Sequence, residues 1–140
     1  MIKWPLRNRA LSLLTYAVSG VFFLWLVVED RSLVTVTLLG VSFPIIFLVH
    51  FLLERFGGAE LPMRKSLLLL GAGGTLAGAL APLTTAVLMA VKVMLHGHTP
   101  PDYSPEMVAA VIARLPLWSV AGLLVGAALA VWVFVHRPPP

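Results

Sequence analysis

The chain has no cysteine. Disulfides, thiolate metal sites, iron–sulfur clusters and cysteine nucleophiles are therefore excluded together. Charge is also scarce: 11% of the 140 residues are Asp, Glu, Lys or Arg, where a soluble domain carries about 25%. That deficit excludes an ordinary soluble globular protein and a disordered one. Ten Lys and Arg against six Asp and Glu leave a net charge of +4. The basic residues form no long stripe, so the excess reflects scarce acids, and nucleic acid is not an expected partner.

What the chain does contain is apolar: 59% of it is hydrophobic. Crossing about 30 Å of hydrocarbon takes about 20 apolar residues in a helix. Four stretches meet that length, at about 10–28, 33–53, 66–95 and 117–135. They are continuous runs, not the alternating pattern of a membrane barrel. Helices satisfy their own backbone hydrogen bonds in lipid. The expected fold is all-α: a single transmembrane domain, an integral membrane four-helix bundle. A cleaved signal peptide is the other reading of the first run. Its basic start from Lys3 to Arg9 fits, but the run is too long and no Ala-x-Ala site follows.

Orientation follows from Lys and Arg. Lys3, Arg7, Arg9, Arg55, Arg64, Lys65 and Arg137 fall on one side; Arg31, Lys92 and Arg114 fall on the other. The richer side is cytoplasmic, so both termini are expected there, in a plasma (inner) membrane. Glu29 to Ser32 is a tight turn between the first two spans. Gly57-Gly58 and Pro62 read as a loop. Ser104-Pro105-Glu106 reads as a helix start, with a cap, Pro at the first helical position and an acid in the first turn. A short outer helix is expected over about 105–115, ending or bending at Pro116, whose ring clashes with the carbonyl of Ile112. Two geometries follow: a helix lying in the outer interface, or one bent helix over 105–135. Arg114 belongs at the interface in both, and Lys92 reaches water by snorkelling.

Within the spans, Gly74 and Gly78 are four apart, as are Gly122 and Gly126. This spacing lets helix backbones approach closely, so the third and fourth spans are expected to pack on each other or on a partner. Pro44 and Pro82 mark expected helix kinks that free the carbonyls of Gly40 and Gly78. Ser42 and Thr84-Thr85 stand near enough to compensate. No Asp, Glu, Lys or Arg lies centrally in any span, whereas proton-coupled transporters commonly use an intramembrane acid.

Candidate chemistry is confined to histidines and outer acids. His96, His98, Asp102 and Glu106 are ligand types suited to zinc. His-x-His alone is also what an ordinary polar loop carries. His50 and His136 sit near the inner ends of their spans and offer axial ligands for haem. No catalytic residue set is defensible. The leading expectation is a non-catalytic accessory or assembly subunit, in contact with the lipid bilayer and with other membrane subunits or a second copy. No cofactor is required for that role. An oligomeric small-solute or ion transporter or channel is the first alternative, and a haem- or metal-binding membrane protein the second. Reporter fusions after Arg9, within Gly57-Gly58 and at Pro140 should report cytoplasm, and those at Ser32 and Pro100 the outside. A cytoplasmic signal at Pro100 would overturn the four-span topology.

Overall fold

The computed structural model describes residues 1–97 and 101–136. In order, the elements are β1 (Ile2–Lys3), α1 (Arg9–Val27), α2 (Leu33–Phe56), β2 (Glu60–Leu61), α3 (Met63–His96), α4 (Pro105–Ile112) and α5 (Leu115–Val135). Four of the helices, α1, α2, α3 and α5, are long and apolar enough to cross a membrane. The chain is a helical, multi-pass membrane protein by length and composition of these elements.

Local chemistry sets the helix ends. The Asn8 side chain accepts from Leu11 N at 3.0 Å and starts α1. Ser32 accepts from Thr35 N at 3.3 Å and starts α2. Ser104 accepts from Met107 N at 3.3 Å and starts α4, with Pro105 at its head. Each cap satisfies a donor that the first helical turn leaves without a partner. α3 ends at Gly97, whose φ of 59° is left-handed and free of strain for glycine.

α3 is the central helix. α5 packs on it most extensively and α2 next. The α3–α5 contact is backbone against backbone. A Cβ on Gly74 would overlap the carbonyl of Gly122, and one on Gly78 the carbonyl of Trp118. One on Gly122 would overlap the carbonyl of Gly74, and one on Gly126 that of Leu70. The register runs antiparallel, with Gly78 beside Trp118 and Leu70 beside Gly126. On the other flank, Gly40 of α2 lies against Thr85 of α3, where an added Cβ would meet the threonine backbone and hydroxyl. Thr84 Oγ1 donates to the carbonyl of Gly40, the group that Pro44 deprives of its helical donor. Both α2 and α3 continue through their buried prolines, Pro44 and Pro82.

Two features differ from the sequence reading. The stretch before α3 is not a plain loop: Ile2 pairs with Leu61 and Lys3 with Glu60 in a two-residue antiparallel ladder. Trp4 anchors it, buried to 6% exposure, its N donating to Ala59 O at 3.0 Å and its Nε1 to Ser66 Oγ at 3.2 Å. Secondly, α4 runs back along α3. Its Met107, Val108 and Val111 pack on the cluster holding Leu88 and Met89. Arg114, at the head of α5, lines a small cavity with Pro82 and Thr85; Pro82 lies about 21 Å of helical rise short of the His96 end of α3. The break at Ala113 and Arg114, forced by Pro116 lacking an N–H, places Arg114 at that cavity. Gly78→Leu or Gly122→Leu should destabilise the bundle by about 3 kcal/mol, because the obstruction is main chain and cannot rotate away. Detergent melting curves matching wild type for both variants would refute the glycine contact.

Candidate functional site: a buried polar cluster where α1, α2 and α3 meet

Lys92 lies in the last part of α3 and is fully buried, at 0% exposure. It does not snorkel to water, as its position in the sequence suggests. Its Nζ donates to Val28 O at 2.9 Å and Trp25 O at 3.1 Å. These are C-terminal carbonyls of α1, which have no donor within the helix and form the negative end of its dipole. The ammonium also lies 4.1 Å from the centroid of the Trp25 ring, a cation–π contact. Lys92 thus joins α3 to the end of α1.

A second charge follows nearby. Asp102, with its side chain wholly buried, forms an ion pair with Arg31 (Nε to Oδ1, 3.0 Å) and meets His96 Nδ1 at Oδ2, 2.9 Å. Arg31 comes from the α1–α2 turn and His96 from the end of α3. Asp102 therefore ties the turn to the segment before α4. Tyr103, 2% exposed, points its hydroxyl at the carbonyls of Ser32 and Asp30, 3.4 and 3.5 Å away. The Asp30 carboxylate accepts from Ser32 N at 2.8 Å. That bond, then Thr35 and the positive charge of Lys92, hold its pKa below the ordinary Asp value. Burial, with Asp30 and Asp102 nearby, pushes the Tyr103 phenol up to about 12.

The four proposed metal ligands are only partly brought together. His96 and Asp102 meet, but they are bonded to each other and Asp102 also pairs with Arg31. Glu106 lies exposed in the first turn of α4, and His98 is outside the described residues. Among the described residues, no group of three or more His, Asp or Glu is arranged to hold a metal ion. The two histidines considered for haem are separately engaged. Thr15 Oγ1 donates to Leu11 O at 2.8 Å, so the 2.9 Å contact with His50 Nε2 requires the imidazole to donate. His136 turns Nδ1 to Trp132 O at 3.1 Å and stacks on the Trp132 ring at 3.7 Å.

The sequence reading missed Arg31, Tyr103 and the inward turn of Lys92. The signal was present: a lysine in an apolar helix with Asp30 and Asp102 on its side of the membrane. No family model, curated protein or solved structure matches the chain, so the residues alone carry the functional argument.

Lys92→Met should cost about 3 kcal/mol, since it removes two charge-assisted hydrogen bonds and takes the ammonium donor from the Trp25 carbonyl, while Val28 O keeps the Asp30 N–H. Protease sensitivity at the α1–α2 turn should rise with it, and an unchanged melting temperature would refute the clamp. The Tyr103 shift gives a pH dependence with a definite sign. The phenol is neutral in the fold to about pH 12 but ionises near 10 when unfolded. Its contribution is complete below pH about 10 and lost as pH rises through 12. Tyr103→Phe should flatten that alkaline loss in a pH series of melting curves.

Proposed function

We propose that the chain is a non-catalytic accessory or assembly subunit of a membrane complex in a bacterial-type plasma membrane. In this reading both termini are cytoplasmic, and the cluster around Lys92 and Asp102 faces outward. α4 leads from the outer side into the fourth crossing.

One observation carries the role: α1 is held at few points and leaves one face exposed along its length. Of its 19 residues only Trp25 is buried. Lys92 grips one end, and the Thr15–His50 bond ties the other to α2. Arg7 adds an exposed ion pair with Glu54 at 3.1 Å, a contact of low energetic weight. Along the helix Leu13, Leu14, Val21, Leu24 and Val27 are exposed. By contrast, α3 buries ten residues. In lipid, helices associate by packing and interhelical hydrogen bonds, since apolar surface has no drive to leave acyl chains. A helix positioned by few contacts, with an apolar face exposed along its length, suits packing against a second membrane subunit. The polar groups of the cluster support the same reading, because they are engaged in joining helix ends.

The absence of cysteine makes the test direct. Val21→Cys and Leu24→Cys variants, cross-linked in native membranes, should each give an adduct to another membrane protein. An adduct to a second copy would place the role in self-association. Monomer alone at both positions would overturn the assembly reading.

A further inference from the structure

An apolar groove of about 340 Å³ runs between α2 and α5, floored by α3. Its walls include Val41 and Leu52 of α2 and Ala121 and Leu129 of α5, and its floor includes Gly73 and Ala77. On each helix the lining covers about 16 Å of rise. A membrane-spanning partner helix needs about 20 residues, or about 30 Å. The groove takes only half that length, which is the depth of one leaflet.

The end of the groove at Val41, Ala81 and Trp118 abuts a second, smaller cavity of about 20 Å³ that those three residues also line, together with Thr37, Thr85 and Arg114. That volume is room for about one water. Arg114 lies beside Pro82, about 15 Å of helical rise below Lys92. It directly precedes α5, whose 21 residues rise about 32 Å and cover the hydrocarbon by themselves, which puts Arg114 at the outer boundary of that layer, at headgroup level. Arginine keeps its charge there. Among the described residues Arg114 makes no ion pair. The site has the polarity of an amphiphile: a cation and two threonines at one end, then about one leaflet of apolar wall.

We propose that this groove binds one chain of an anionic phospholipid, with its phosphate against Arg114 and its tail running along Ala77 and Ala121 towards Leu129. Charge complementarity selects the head, and the groove's length selects a lipid tail over a helix. The proposal does not rest on the assembly role of α1, which uses a different face.

Trp118 is a reporter at the junction of head and tail. Its fluorescence is the difference between wild type and Trp118→Phe. In phosphatidylcholine vesicles doped with dibrominated phosphatidic acid, that signal should be quenched at about ten-fold lower lipid fraction than with dibrominated phosphatidylcholine. Ten-fold is the factor of one charge-assisted hydrogen bond. Arg114→Gln should abolish the preference and Arg114→Lys should retain it. Ala121→Phe, at an exposed small position in the wall, should weaken quenching by both lipids without lowering the melting temperature. Equal quenching by the two lipids in wild type would overturn the proposal, as would a preference that survives Arg114→Gln. Cross-linking of an Ala121→Cys variant to a second copy or another protein would likewise assign the groove to a different occupant and overturn it.

Discussion

The close approach of α3 and α5 backbones is the constraint on which the rest depends. Nothing wider than a hydrogen fits at Gly74, Gly78, Gly122 and Gly126, since each faces a carbonyl of the other helix. Helices in lipid gain from such proximity because dispersion and weak polar contacts between backbones replace the missing hydrophobic drive. The contact also fixes height. With Gly78 beside Trp118, α5 begins near the middle of α3, and α4 has to supply the remaining length. Arg114 falls at the junction, and its place beside Pro82 follows from the glycine register.

The opposite flank is organised by polarity. Trp25 and Val28 present terminal carbonyls that the helix cannot satisfy itself, and Lys92 satisfies them from α3. Asp102 then draws Arg31 and His96 onto one carboxylate. In a low-dielectric setting a partnered charge is tolerable and an unpartnered one is expensive. The cluster therefore specifies where the α1–α2 turn and the segment before α4 meet. It leaves the body of α1 with few tertiary contacts, Phe22 against Phe43 among them. One helix pair is thus fastened by main-chain proximity along its length, whereas α1 is fastened at few points.

The four spans were legible from the runs of apolar residues, because length and composition alone decide whether a helix can cross hydrocarbon. The capping residues were legible for a similar reason: Ser104 with Pro105 acts within a single turn. The spacing of the glycine pairs was visible, as was the carbonyl of Gly40 that Pro44 deprives of its helical donor. In each case the physics is local, or repeats every turn of one helix.

Tertiary structure decided which groups from distant segments meet. Lys92 and Arg114 look alike in the sequence, each a lone cation near the end of an apolar run. One is buried on the α1 carbonyls, and the other stands exposed at the head of a groove, beside Pro82. Their fates diverge because the glycine register sets the height of α5 while the α1–α2 turn sets the neighbours of Lys92. The ladder between Ile2–Lys3 and Glu60–Leu61 was likewise invisible, since two-residue strands carry no periodicity. The sequence by itself determined which segments are helices and how long they are. Only the fold decided which charge is satisfied within the protein, because that depends on separations in space between residues far apart along the chain.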